Sequence, residues 1–135
     1  MGKRILIIED ELPLAEEWAL ALVASGYETK IVTKISEALS IIDQLEFDLV
    51  LLDVMLPTIE PTKGISVINI AHGRVAGVYI AQKIKKKKPS LPIIAVTVVS
   101  DKHILEQLKQ AGVARILRKS RASIKDIQAA IKSFL

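Results

Sequence analysis

The sequence predicts an α/β fold in which one doubly wound sheet of five parallel strands carries helices on both faces. Its 135 residues, 50% of them apolar and 25% charged, suit a single globular domain. Short strand-like runs alternate along the chain with segments of helical periodicity. Most of these runs are continuously apolar, which is typical of strands that are covered on both faces. Right-handed crossovers between parallel strands then place helices on both sides of the sheet.

The first half of the chain contains two strand–helix units. An apolar run predicts the first strand at Arg4–Ile8, and an Ala- and Leu-rich segment predicts a helix at Leu14–Ala24 that ends before Gly26. A weaker strand signal covers Thr29–Val32. The next helix is predicted at Ser36–Leu45, because its first residue is a suitable N-cap.

The second half contains three further strand–helix units. Their strands are predicted at apolar runs, and their helices at segments that are bounded by proline, glycine or serine. In chain order these elements are strand Leu49–Leu52, helix Val78–Lys87, strand Ile93–Thr97, helix Asp101–Gln110, strand Arg115–Leu117 and helix Ser123–Leu135.

One segment, residues 57–76, does not fit a simple connection between a strand and a helix. It contains two prolines, two glycines and an alternating stretch from Ile65 to Ile70. It is several times longer than the roughly 2 to 6 residues of such connections. We therefore expect an insertion between the third strand and the third helix, which forms either a hairpin or lid over the site or a surface excursion.

Composition excludes several classes of function. The chain has no cysteine, so disulfides, thiolate catalysis and cysteine-ligated metal sites are excluded. The two histidines, His72 and His103, leave little for a histidine metal site, and we interpret both as surface residues. No apolar run reaches the roughly 18 to 20 residues of a membrane span, and acidic residues follow Met1 too soon for a signal peptide. We therefore expect a cytoplasmic protein.

Charge is strongly polarised along the chain. Residues 1–82 carry 6 Lys and Arg against 12 Asp and Glu, whereas residues 83–135 carry 13 against 3. The run Lys85–Lys88 is interpreted first as a solvated helix face. The alternative is a basic docking face for an acidic partner. A nucleic acid is less favoured there, because no aromatic residues interleave with the lysines.

Polar residues stand at the ends of several predicted strands. Glu9 and Asp10 follow the first strand, Asp53 follows the third, Thr97 ends the fourth, and Lys119 lies just beyond the fifth. The carboxyl ends of parallel strands meet at one sheet edge, which is where such folds bind ligands. Carboxylates that meet there repel one another unless a cation lies between them, and oxygen ligands suit Mg²⁺. A carboxylate beside that ion can attack a phosphoryl donor, because metal, ammonium and hydroxyl share the phosphoryl charge. The sequence therefore predicts an aspartyl phosphate.

Four sequence elements resemble the receiver domain of bacterial response regulators, including the chemotaxis regulators. They are ILIIEDE at Ile5–Glu11, FDLVLLDVMLP at Phe47–Pro57, PIIAVT at Pro92–Thr97, and Lys119. The resemblance covers nearly the whole chain apart from the insertion, and it implies a single receiver domain over residues 1–135. We expect the flavodoxin-like strand order 2-1-3-4-5.

The resemblance also implies a role for each site residue. Asp53 is the phosphoacceptor, and Thr97 and Lys119 contact the phosphoryl group. The implied Mg²⁺ ligands are Glu9 through water, Asp10, Asp53 and the backbone carbonyl of Met55.

The implied function is phosphorelay signalling in a two-component system. A histidine kinase or phosphotransfer protein supplies the phosphoryl group, and phosphorylation shifts the face formed by the fourth helix, fifth strand and fifth helix. Since the sequence ends at Leu135, we expect a stand-alone regulator that acts on a separate protein, an acidic one because this face is basic. No general acid or base accompanies Asp53, which argues against a hydrolase.

Three positions depart from the family's pattern. Ser120 follows the lysine where the family usually has proline in a cis peptide, Ile116 stands where it usually has Tyr or Phe, and Val98 stands where it prefers a small residue. We expect Val98, with the apolar Met55 and Val99, to make self-dephosphorylation slow. These departures leave an alternative open, a receiver-like interaction module that works without phosphorylation.

Overall fold

The computed structural model describes residues 2–54, 76–98, 102–119 and 123–135. Within these ranges one sheet is formed in the order β2-β1-β3-β4-β5, and each neighbouring pair is parallel. Its strands are β1 (Arg4–Ile8), β2 (Glu28–Val32), β3 (Leu49–Asp53), β4 (Ile93–Thr97) and β5 (Arg115–Arg118). The predicted fold class and strand order are confirmed. The predicted insertion at residues 57–76 lies outside the described residues except for Ala76, where a helix begins.

Helices cover both faces of the sheet. They are α1 (Leu12–Ala24), α2 (Ile35–Gln44), α3 (Ala76–Lys87), α4 (Lys102–Gln110) and α5 (Ile124–Phe134). Ile5 and Ile7 of β1 pack with α1 and α5, whereas Leu6 and Ile8 pack with α2, α3 and α4. All four side chains are fully buried, which explains the continuous apolar run. None of the helices in the described part of the chain is long and apolar enough to span a membrane.

The predicted element bounds agree with the structure to within two residues, but one predicted cap is wrong. α2 begins at Ile35 with Lys34 as its N-cap, so Ser36 lies inside the first turn. Ile35 is buried against the core, and this burial starts the helix one residue earlier than the serine signal indicated. The serine predicted at the start of the last helix does cap it. The hydroxyl of Ser123 accepts a hydrogen bond from the backbone N–H of Asp126 at the start of α5.

The lysine run at the end of α3 contacts acidic side chains of α2 and of the loop that follows α2. Lys87 Nζ lies 2.6 Å from Asp43 Oδ2, and Lys88 Nζ lies 3.5 Å from Glu46 Oε1. Exposed pairs of this kind contribute little stability, but they do reduce the local excess of positive charge. The contacts therefore favour the interpretation of this run as a solvated helix face.

Candidate functional site

The register of the strands places four predicted site residues at one edge of the sheet. Glu9 and Asp53 each follow a residue of the last pair between β1 and β3. Thr97 follows the β4 residue that pairs with Asp53. Lys119 follows the β5 residue that pairs with Thr97. Because all four strands run in the same direction, these side chains arise from adjacent strand ends, as the sequence predicted.

Three carboxylates form an acidic cluster at this edge. Glu9, Asp10 and Asp53 each offer an oxygen, and these oxygens lie within 4.8 Å of one another. The side chains differ in environment, since Glu9 and Asp53 are buried and Asp10 is exposed. Buried carboxylates at this separation repel one another when they are ionised.

Lys119 supplies positive charge to the acidic cluster. Its Nζ lies 2.8 Å from Glu9 Oε1 and 3.5 Å from Asp53 Oδ2. Its backbone N–H donates to the carbonyl of Thr97 at 2.8 Å, which fixes the start of the side chain beside the end of β4. Burial alone would lower the pKa of Lys119, but the contact with Glu9 and the charges of Asp53 and Glu9 outweigh it and raise this pKa. The lysine is therefore a permanent cation at neutral pH.

Among the described residues, Lys119 is the cation in ion-pair contact with the acidic cluster, and the buried Glu9 still holds a proton more strongly than a free glutamate does. Burial, with a further contribution from its hydrogen bond to Asp53, raises the pKa of Glu9 to about 8, although the contact with Lys119 acts in the opposite direction. Oε2 accepts a hydrogen bond from the backbone N–H of Glu11 at 3.3 Å. Oε1 is held by the Lys119 ammonium at 2.8 Å. Because a carboxylate oxygen has two lone pairs, Oε1 keeps coordination capacity for one further ligand beside the lysine.

The residues of the acidic cluster fit a divalent cation such as Mg²⁺. Carboxylate oxygens are the donors that this ion prefers, and the exposed Asp10 leaves one side of the cluster open to the waters that Mg²⁺ retains. A cation here would also favour the ionised form of Glu9. Met55, whose backbone carbonyl is a further predicted ligand, lies outside the described residues.

Thr97 is fully buried at the end of β4, on the strand next to Asp53. The phosphoryl contact of Thr97 stays a prediction. Of the residues that depart from the family's pattern, Val98 is 62% exposed and Ile116 is half-buried against the core. Ser120 and Val99 lie outside the described residues, as does His72, whereas His103 is exposed as predicted.

The structure adds Trp18 to the site, which sequence reasoning did not predict. Trp18 lies on the buried face of α1, and Lys119 Nζ is 5.9 Å from the centroid of its ring. The Ala- and Leu-rich pattern of α1 indicates only that this residue belongs to the core. The one signal in the sequence is that the only tryptophan of the chain lies in the helix that directly follows the acidic residues.

Sequence reasoning also did not predict the role of Gly77, a glycine of α3. The backbone N–H of Gly77 donates to the carbonyl of Val54 at 3.1 Å. A Cβ atom at Gly77 would lie 2.5 Å from Val54 Cα and 2.6 Å from its carbonyl oxygen. Only glycine permits this approach of α3 to the residue that follows Asp53.

The sequence is similar to curated proteins of one family. A model of the response regulator receiver domain matches residues 5–71. The DNA-binding response regulator MtrA of Mycobacterium tuberculosis is 30% identical over 122 residues, which are 90% of this chain and 52% of that protein. The phosphate regulon transcriptional regulatory protein PhoB of Pseudomonas aeruginosa is 32% identical over 99 residues, 72% of this chain and 36% of that protein. The chain thus spans about half the length of the first of these curated relatives and less of the second.

Solved structures agree with this match. The CheY-like response regulator receiver domain protein from Methanospirillum hungatei superposes with a TM-score of 0.82 at 26% identity, covering 98% of this chain and 93% of that one. The chemotaxis protein CheY4 of Vibrio cholerae, at 17% identity and full coverage of both chains, shows the same fold with a TM-score of 0.80. From its sequence, its strand order and these similarities, the chain belongs to the family of response regulator receiver domains.

Proposed function

We propose that this receiver domain accepts a phosphoryl group on Asp53 and thereby acts in phosphorelay signalling. The observation that carries the proposal is the environment of Asp53. This carboxylate is 2% exposed, belongs to an acidic cluster that fits Mg²⁺, and has its Oδ2 3.5 Å from the Lys119 ammonium. Carboxylate, metal site and ammonium together are the groups that phosphoryl transfer to a carboxylate requires.

In the proposed reaction an oxygen of Asp53 attacks the phosphorus atom of the donor. A new P–O bond forms as the bond between phosphorus and the leaving atom breaks. With a phosphohistidine donor this is the P–N bond, whose electron pair returns to the imidazole nitrogen. Lys119 and the hydroxyl of Thr97 then contact the oxygens of the phosphoryl group, where charge is spread in the transition state.

Four residues would hold the metal ion in this proposal. Bound Mg²⁺ would neutralise part of the charge on the carboxylates and on the phosphoryl oxygens. The proposed ligands are Asp10 and Asp53 directly, Glu9 through water, and the backbone carbonyl of Met55. Glu9 also shares its Oε1 with Lys119, so this carboxylate connects the metal site to the lysine.

The chain is proposed to be a phosphoacceptor and not an enzyme with turnover. Val98 directly follows Thr97, and in this proposal its branched side chain limits the approach of an attacking water to the phosphoryl group. We therefore propose that self-dephosphorylation is slow.

Two protein partners are part of the proposal, and we place them with this chain in the cytoplasm. A histidine kinase or phosphotransfer protein supplies the phosphoryl group. The downstream partner is an acidic protein that binds the α4–β5–α5 face. Exposed basic residues of this face are Lys102, Lys109, Arg115, Arg118, Lys125 and Lys132, against the acidic Glu106 and Asp126. DNA binding is stated of the relative MtrA, and for this chain we keep the prediction that a nucleic acid is not the partner.

The test is intact-mass spectrometry after incubation with Mg²⁺ and acetyl phosphate. We expect a gain of one phosphoryl group that requires the metal and is lost in Asp53→Ala. Asp43→Ala, which removes an exposed carboxylate of α2, is the matched control and should gain it normally. Following the mass after the donor is removed measures the lifetime of the modification. If a folded wild-type protein gains nothing from acetyl phosphate or from a histidine kinase, the proposal is wrong, and the interaction module without phosphorylation takes its place.

A further inference from the structure

The ammonium of Lys119 has two kinds of neighbour. It lies 2.8 Å from Glu9 Oε1 and 3.5 Å from Asp53 Oδ2, and it lies over the indole ring of Trp18, whose centroid is 5.9 Å from Nζ. Trp18 is 4% exposed, so the ring is held by the core and not by solvent contacts. A cation over the face of an aromatic ring is attracted by its quadrupole, and tryptophan gives the strongest attraction.

On the side of the indole, Leu14, Glu17 and Val96 also line the space next to the lysine. A cavity of about 350 Å³ borders Lys119 and Trp18 and extends to α5, where Ser123, Ile124 and Ile127 line it. A lysine side chain has a flexible four-carbon stem, so open space beside it permits other rotamers. Among the described residues, Trp18 is the aromatic side chain in contact with the ammonium.

We propose that Trp18 is a positioning residue for Lys119. Its indole face keeps the ammonium beside Asp53, so the charge is in place when the phosphoryl group arrives. The proposal rests on the proposed phosphorylation of Asp53. It also makes the emission of Trp18 a direct reporter of the lysine, because the chain has no other tryptophan.

A double-mutant cycle tests the positioning role. Trp18→Leu removes the aromatic face, Trp18→Phe keeps one, and each is combined with Lys119→Met, which removes the ammonium but keeps an unbranched side chain. The measured quantity is the initial rate of Mg²⁺-dependent phosphorylation by acetyl phosphate. We expect Trp18→Leu to lower this rate about 3- to 30-fold, the range that corresponds to a partly buried cation–π contact, and Trp18→Phe to lower it less. In the Lys119→Met background, Trp18→Leu should have no further effect.

Unfolding in urea distinguishes positioning from packing. Both Trp18 variants lose core contacts and should be less stable, but a purely structural role would lower the phosphorylation rate equally with and without Lys119. That additive result would overturn the proposal. If Trp18→Leu does not fold, Trp18→Met replaces it, since methionine adapts to irregular core space.

Tryptophan fluorescence tests the contact between Lys119 and Trp18 in the unphosphorylated protein. Lys119→Met should change the emission maximum or intensity of Trp18, whereas Lys125→Met, at an exposed position on α5, should leave both unchanged. Equal spectra for wild type and Lys119→Met would refute the contact. If the wild-type protein accepts no phosphoryl group, the proposed function fails while the spectra still judge the contact. If it is phosphorylated and the cycle is additive, only the positioning role fails.

Discussion

At the scale of single residues, the site brings two buried carboxylates, Glu9 and Asp53, together with the exposed Asp10. Burial raises the pKa of Glu9, and repulsion from Asp53 adds to this rise, although the contact with Lys119 acts in the opposite direction. A proton and a divalent cation are alternative ways to reduce the same repulsion. A divalent cation that binds this site would therefore release a proton from Glu9.

This coupling predicts how stability depends on pH. The pKa of Glu9 rises from its ordinary value of 4.5 to about 8 in the folded protein, so between these values the folded protein holds a proton that the unfolded chain has released. The free energy of unfolding in EDTA should therefore fall as pH rises from about 4.5 to about 8. Mg²⁺ should restore it most strongly at the upper end of this range, where the ion displaces the fewest protons.

Urea unfolding of wild type and Glu9→Gln over this pH range is the measurement. The other charged groups in contact with Glu9 are Asp10, Asp53 and Lys119, and all three are present in both proteins. The comparison therefore isolates the loss of the Glu9 carboxyl group. Equal pH slopes for the two proteins in EDTA would contradict the prediction.

Some residues of the site could be predicted from the sequence and others could not. Glu9, Asp53, Thr97 and Lys119 were predictable because each is tied to the end of a strand, and strand ends of a parallel sheet share an edge. The contact of Trp18 with Lys119 was not, because it depends on the rotamers of two long side chains on elements that are about 100 residues apart in sequence.

At the scale of secondary structure elements, strands were predicted more closely than helix ends. Each strand begins and ends within one residue of its predicted bounds. β1, β3 and β4 are buried along nearly their whole length, and such burial imposes a continuous apolar run. The start of α2 was missed because burial of Ile35 outweighs the preference of Ser36 for the N-cap. The role of Gly77 was missed because the need for glycine arises from a contact with the residue after β3, which no local pattern records.

This contact predicts that Gly77→Ala destabilises the protein. Alanine favours a helix interior by about 1 kcal/mol over glycine, so local propensity alone would make the variant more stable. The added Cβ meets the backbone of Val54 at 2.5 to 2.6 Å, however, and backbone cannot move away as a flexible side chain can. We expect a net loss of about 1 to 3 kcal/mol in the free energy of unfolding, with slower phosphorylation of Asp53 next to the displaced Val54.

Urea denaturation gives the sign directly. Gln82→Ala, at an exposed position on the same helix, is the control and should change stability by less than about 0.5 kcal/mol. A Gly77→Ala variant as stable as wild type would show that α3 can shift without cost.

At the scale of the whole molecule, the polarised sequence becomes a polarised surface. The acidic first part of the chain supplies the carboxylates of the site, and the basic last part supplies the α4–β5–α5 face. The fold itself was predictable at this scale, because alternating strand and helix signals with right-handed crossovers leave few topologies. The form of the insertion expected at residues 57–76 stays open, since the mixed pattern of this segment favours no single periodicity.

The basic face predicts a partner that binds with strong salt dependence. We expect fluorescently labelled polyglutamate, as a probe of acidic protein, to bind the protein more weakly as ionic strength rises, because screening reduces attraction between exposed charges. Lys125→Glu and Lys132→Glu, both on exposed positions of α5, should each weaken binding about 2- to 5-fold. Lys30→Glu should have little effect, because β2 is the outer strand on the side of the sheet opposite β5.

Fluorescence anisotropy measures the binding of labelled polyglutamate to wild type and to each of the three variants, and labelled duplex DNA is the alternative probe. Tighter binding of the DNA, weakened by the same two α5 substitutions, would show that the face recognises nucleic acid and that the prediction of an acidic protein partner is wrong.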